Sequence, residues 1–221
     1  MPVIIPDIDL AILQDVPSPS LLVFADQVER NIDQMIATAG NVARLRPHCK
    51  THKMADVIRM LLGKGITKHK AATIAESEML AEAGVTDIVL AYNMVGPNAD
   101  RVVRLKQKFP KTRIVVTADH SNPLQRLSDV AAPAGVDLGV MLDVDVGLHR
   151  TGVSPASDEA VSLYQQICSS PGLFAAGFHV YDGHQHQESL DDRRTAVMQE
   201  WPAVLELKKR CEAAGCDVPE L

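Results

Sequence analysis

The chain reads as an α/β fold built on parallel strands, and three observations predict it. Short apolar runs alternate with longer amphipathic segments along most of its 221 residues. Glycines 40, 63 and 84 each stand where an amphipathic segment stops. No linker, low-complexity tract or internal repeat interrupts the alternation.

Taken in order, the aliphatic run 20–24 reads as a strand and 25–39 as a helix stopped by Gly40. Residues 42–47 read as a strand, and 54–62 as a helix stopped by Gly63. A short strand at 70–73 precedes a helix at 75–83, which ends at Gly84. The near-continuous apolar runs 87–91, 113–117, 136–142 and 174–180 read as strands buried on both faces. Helices at 98–109, 123–132, 157–169 and 190–214 follow them, marked by apolar residues three and four apart.

Six βα units therefore begin at Val42, and the sequence ends at Pro219-Glu220-Leu221, where a seventh strand is due. A closed (β/α)8 barrel of the triosephosphate isomerase type has eight units. Six would leave two unpaired strand edges and an open interior. An open, doubly wound sheet can stop at six, but the glycine fingerprint of a nucleotide-binding sheet is missing.

Bulk composition narrows the function. With 46% hydrophobic residues and only 4% aromatics, the core rests on aliphatic packing. A net charge of −6 and the lack of a basic stripe argue against nucleic-acid binding. No apolar run has the length of a membrane span, and the amino terminus has no basic start followed by an apolar core. Four cysteines without CxxC spacing point to a reducing cytoplasm rather than a disulfide framework.

The stretch Arg46-Pro47-His48-Cys49-Lys50-Thr51-His52-Lys53 carries the chemistry. It puts Lys50 at the carboxyl end of the predicted strand 42–47. Partial desolvation and neighbouring positive charge favour a neutral amine there, suited to a Schiff base with an aldehyde. Cys49 alternates to the opposite side and reads as core. Asp143 and Asp145, two apart at another strand end, point the same way: one to orient Arg150, the other to cap the loop. Thr73 and Glu76 form a capping-box pattern, with Thr73 also facing the site rim. Among His179, His184 and His186, an acid–base role outweighs metal binding, because no cysteine or carboxylate set completes a ligand shell.

Five blocks in order resemble the fold-type III pyridoxal-phosphate enzymes, the alanine racemase N-terminal-domain group, and within it the D-threonine aldolase and D-serine dehydratase branch. They are 46–53, then 72–78 (Ala-Thr-Ile-Ala-Glu-Ser-Glu), 91–97 (Ala-Tyr-Asn-Met-Val-Gly-Pro), 143–153 (Asp-Val-Asp-Val-Gly-Leu-His-Arg-Thr-Gly-Val) and 179–184 (His-Val-Tyr-Asp-Gly-His). The resemblance implies a pyridoxal-phosphate-dependent lyase acting on D-β-hydroxy amino acids, by retro-aldol cleavage or dehydration, with an amino-acid racemase or a non-catalytic cofactor carrier as alternatives. It implies Lys50 as the cofactor lysine, with Arg150 and Tyr181 beside the cofactor; by their positions in the sequence, His48 and Thr73 are further candidates about the cofactor, and His52 and His184 are candidate catalytic partners. It also implies a barrel cut after about six units. Residues 1–40 would form an amino-terminal strand and helix, the strand shared with a carboxyl-terminal β domain, and 41–221 a partial cofactor-binding barrel. A divalent metal (Mn, Mg or Zn) would be held only by that further domain, with none bound by this chain's own residues. The expected partners are a small D-amino acid and a second copy in a homodimer, without nucleic acid or membrane.

Overall fold

The structure is a computed structural model that describes residues 10–221; residues 1–9 of the expected amino-terminal segment lie outside the described residues. Five strands pair in parallel in chain order: β1 (Lys68–Ala71), β2 (Asp87–Asn93), β3 (Arg113–Ala118), β4 (Leu138–Val144) and β5 (Leu173–Val180). The helices are α1 (Ala25–Ala39), α2 (Ala55–Gly63), α3 (Ile74–Glu82), α4 (Asn98–Lys108), α5 (Ser121–Ala131), α6 (Asp158–Ser169) and α7 (Leu190–Ala213).

Alternation along the strands separates two packed faces. Ile88, Leu90, Val116, Leu138, Val140, Leu142 and Phe178 join the helices in the large core. Val89, Val115, Met141 and Ala176 form a small apolar cluster on the other face. Side chains two apart share a face, so the inner face rises from that cluster to Thr117 and Asp143 near the strands' carboxyl ends. β1 and β5 are opposite edges of the sheet. Yet Lys70 Nζ of β1 lies 2.5 Å from His179 Nε2 of β5, so the sheet curls into an open barrel.

An ionic network closes the amino-terminal end of this interior. Arg46 reaches Asp87 at 2.5 Å and Glu220 at 3.3 Å, and Arg113 reaches the same two at 3.2 and 3.0 Å. After α7 the chain returns to the β5 edge: Phe178 N–H donates to the Glu220 carbonyl at 2.9 Å, and Val218 is buried.

Two expected strands differ. Residues 42–47 do not form a strand; Val42–Arg44 is a 3-10 turn capped by the Asn41 side chain, and parallel pairing shrinks to one bridge, His48 to Lys70. The Asn41 cap offers the backbone a local alternative to a ladder. Residues 20–24 form no strand within the described residues, and Leu21, Leu22 and Val23 are exposed, because no neighbouring strand supplies hydrogen bonds. The strand expected at 70–73 runs two residues earlier, its polar Lys68 and His69 having masked it.

Gly177 sits at φ 109°, and a Cβ there would lie 2.0 Å from the Glu220 carbonyl oxygen. Gly177→Ala is therefore expected to lose roughly 2–5 kcal/mol in urea unfolding, from backbone strain plus overpacking. Gly40→Ala, at φ 74° with open space around it, is the control and is expected to lose only about 1 kcal/mol. Equal losses at both positions would contradict the close packing of residue 220 on β5.

Candidate active site

The site begins with the turn that carries Lys50. Cys49, fully buried, anchors it: its N–H donates to the Lys70 carbonyl at 3.0 Å, and its own carbonyl accepts from Lys53 N–H at 2.8 Å. Lys53 adopts φ 52° and reaches Glu76 at 3.0 Å. Glu76, at the start of α3, also accepts from Ala72 N–H at 2.7 Å. Burial pushes its carboxyl up, but the Ala72 amide and Lys53 outweigh that, and the net direction is down. Glu76 thus fastens the Lys50 turn to the end of β1.

The second wall is the loop after β4. Asp145 accepts from the N–H groups of Gly147 and His149, both at 3.0 Å, and from His149 Nδ1 at 2.8 Å. Asp119 accepts from Gly152 N–H at 2.9 Å and from the Asn93 side chain. This tethering sets the guanidinium of Arg150 4.7 Å from the centre of the Tyr181 ring, a cation–π distance. Asp145 thus caps the loop as expected, but neither aspartate orients Arg150; among the described residues no carboxylate forms an ion pair with it.

Between these walls, at the carboxyl ends of the strands, opens a cavity of 510 Å³. Its lining brings Lys50, His48, Arg150 and Tyr181 together with Lys70, Asn93, Thr117, Asp143 and His179. Lys50 is exposed at the cavity mouth, so the partial desolvation expected of it is not found; Lys70 is the half-buried amine. Burial, then the charges of Lys50 and Lys70, lowers the His48 imidazole to about 4, so it is neutral, and its Nδ1 accepts from Lys50 N–H at 3.2 Å. Burial lowers the Lys70 ammonium to about 8; Asp143 opposes this, while Lys50, Arg150 and Arg46 reinforce it.

Three residues expected at the site lie outside this lining. His52 is turned to its own backbone, its Nδ1 accepting from Met54 N–H at 3.1 Å. Thr73 caps α3, accepting from Glu76 N–H at 3.1 Å. His184 pairs with Glu200 at 2.9 Å, in the segment between β5 and α7. Short sequence distance to Lys50 or Tyr181 was not enough, because each has a nearer backbone or side-chain partner.

Lys70 and its contact with His179 are the residues that sequence reasoning missed. Two signals existed: period-two alternation sets Lys70 opposite the buried His69 and Ala71, and a lysine is costly on the inner face of a barrel strand.

His48, Cys49 and Glu76 bring potential ligand atoms within 4.8 Å of one another. Burial, then Glu76, pushes the Cys49 thiol up to about 12, and Lys53 already neutralises Glu76. A protonated thiol and an ion-paired carboxylate make a poor metal shell.

The sequence profile described as "Alanine racemase, N-terminal domain" matches residues 23–221. The chain belongs to this family. Among relatives in the alanine racemase N-terminal-domain family, it is 31% identical over 191 residues to a D-threonine aldolase of Arthrobacter sp, covering 85% of this chain and 49% of the relative. It is 29% identical over 208 residues to a 3-hydroxy-D-aspartate aldolase of Paracoccus denitrificans (strain Pd 1222), covering 91% and 52%. The crystal structure of D-threonine aldolase from Filomicrobium marinum superposes with a TM-score of 0.84 at 27% identity, covering 94% of this chain and 56% of that one. The chain thus spans about half the length of the curated relatives it matches. Its fold is that of an alanine racemase-type N-terminal domain, with the barrel left open after five paired strands among the described residues.

The depressed His48 value yields a titration prediction. Its imidazole resonances are expected to titrate near pH 4, and Lys50→Met to raise that midpoint by removing a like charge. An unfolded histidine protonates near its ordinary value of 6.5. This residue's contribution to stability is therefore full above about 6.5 and is lost as pH falls toward 4. A midpoint near 6.5, unmoved by Lys50→Met, would contradict the crowded site.

Proposed function

We propose that this chain is the cofactor-bearing part of a pyridoxal-phosphate-dependent lyase acting on D-configured β-hydroxy amino acids. One observation carries the proposal: the cavity gathers Lys50, Lys70 and the Arg150–Tyr181 pair at the carboxyl ends of the strands. That is the face on which barrel enzymes do their chemistry. The relatives' names, D-threonine aldolase and 3-hydroxy-D-aspartate aldolase, support the substrate class.

The residues present fit pyridoxal phosphate by their donor set and size. Lys50 offers an amine at the cavity mouth for the aldehyde. Arg150, permanently charged and planar, offers donors for a ring-bound oxygen anion. Tyr181 offers a flat aromatic face, and the 510 Å³ cavity lies within the usual span for cofactor sites. When bound, the cofactor supplies the electron sink that lets a bond to the substrate's α-carbon break.

This chain's residues would then bind, orient and move protons. Lys50 would hold the cofactor and release it to the substrate's amine. His48, kept neutral, would orient the backbone at Lys50 without adding charge. Tyr181 and Arg150 would close one side of the cavity against water. His52, Thr73 and His184 would act through the turn, the α3 cap and the β5–α7 segment rather than by contact.

Other parts of the reading rest on the family resemblance. These are the division into segments 1–40 and 41–221, a strand at 20–24 completed by a β domain, metal binding by that domain, and a homodimer. A reducing cytoplasm fits four free cysteines, and no helix among the described residues is long and apolar enough to cross a membrane.

Added pyridoxal phosphate is expected to colour the protein yellow, and borohydride to leave the cofactor's mass on the Lys50 peptide. Lys50→Ala should lose both at unchanged thermal stability. A protein that stays colourless, or that carries the mass elsewhere, would rule the assignment out.

A further inference from the structure

The cavity holds a second amine for which the proposal above gives no task. Lys70 Nζ lies 2.5 Å from His179 Nε2, and His179 Nδ1 lies 2.7 Å from Asp143 Oδ1. A carboxylate only accepts, so Nδ1 carries the imidazole proton and Nε2 is left to accept from Lys70. Asp143 is buried, and the His179 side chain retains only 11% of its exposure. The three side chains therefore form a fixed chain from carboxylate to imidazole to amine, ending in the cavity. An amine beside a base that a third group orients is the arrangement of an activated group rather than of a structural ion pair.

The charged surroundings point the same way. Lys50 and Arg46, from the segment before α2, and Arg150, from the loop after β4, crowd Lys70 with positive charge. His48 on that segment is neutral, and Tyr181 places its ring 5.6 Å from Lys70 Nζ. Asp143, and the face of the Tyr181 ring at a cation–π distance, oppose loss of the proton. With one N–H held by His179, the Lys70 lone pair is free for the cavity once the amine is neutral.

We infer that Lys70 is the base that takes the proton of the substrate's β-hydroxyl group, with His179 and Asp143 as its relay. This deepens the lyase reading and rests on it. Lys50, by bonding where the substrate's amine bonds, is committed to the α-carbon end. At the hydroxyl end, Lys70 is the second amine that this cavity supplies. The O–H bond breaks and a new N–H bond forms on Lys70. The oxygen's electron pair becomes the second bond of the product aldehyde as the Cα–Cβ bond breaks. That bonding pair stays with the α-carbon, which takes a proton from solvent to give the shortened amino acid, and Lys70 returns to solvent the proton it gained from the hydroxyl. The proton on Lys70 can pass to His179 Nε2, forming an imidazolium that faces Asp143.

Two measurements test the role. In cofactor-free protein, competitive acetylation read by mass spectrometry across pH is expected to give Lys70 a midpoint near 8. Asp143→Asn should lower that midpoint and Lys50→Met should raise it, following the signs of their charges. A midpoint near the ordinary 10.5, or one that neither variant moves, overturns the inference without the need for a stable Lys70 variant. In cofactor-loaded protein, the rate of D-threonine cleavage is expected to rise with pH through about 8. Lys70→Met should still yield borohydride-fixed cofactor on Lys50 while cleavage falls about 10²- to 10⁴-fold. Undiminished cleavage by Lys70→Met, or a wild-type rate that falls through pH 8, overturns the role of Lys70 and leaves the Lys50 assignment standing. Absence of cofactor on Lys50 in the wild type fails the lyase reading itself, and this role with it.

Discussion

Parallel pairing in register fixes the height at which inner-face side chains end, and the candidate site depends on that constraint. Asp143 and His179 are direct partners across β4 and β5. Curvature of the sheet then brings β1 round until Lys70 meets His179. Below them the inner face is apolar, through Val89, Val115 and Met141; further down, the Arg46–Asp87–Arg113–Glu220 network closes the amino-terminal end. A barrel interior sealed below and polar only at the top presents its reactive groups to one opening.

The site is also defined by an excess of positive charge. Lys50, Lys70 and Arg150 line one cavity with a single buried carboxylate, Asp143, among them. Burial first, and then like charge this close, disfavours full protonation, and His48 and Lys70 are both shifted down. Such an arrangement is costly for folding and suited to bonding or deprotonating a polar substrate. The tethers that hold it, Glu76 on the Lys50 turn and Asp145 with Asp119 on the Arg150 loop, lie outside the lining and are satisfied by backbone N–H groups.

Much of the fold was legible because its strands are buried on both faces. Runs such as 113–117 and 136–142 have no reading other than interior strand or helix, and their length decides between the two. The elements misread were those with polar or weakly constrained sequence. The Lys68-His69-Lys70-Ala71 strand reads two residues late, at 70–73, because polar Lys68 and His69 carry no apolar signal until the sheet supplies partners on one side and the cavity on the other. Residues 42–47 are apolar enough for a strand, but the Asn41 side chain and a proline direct them into a turn with one bridge. For the site, the Arg46–Lys53 motif located Lys50 and His48 directly, whereas the contact between Lys70 and His179 spans 109 positions. No local pattern encodes a contact of that range; it is a product of sheet curvature. His52 and His184 show the converse, where proximity in sequence fails because a backbone amide or Glu200 takes the ring first.

The chain matches relatives about twice its length, and the candidate cavity is the part of the proposed site that its residues form. A crystal structure of the protein soaked with pyridoxal phosphate tests that part most directly. The account predicts continuous density from Lys50 Nζ into the cavity beside Tyr181, with Lys70 unmodified and still bonded to His179. Density joined to Lys70 instead, or no bound cofactor at saturating concentration, would contradict it.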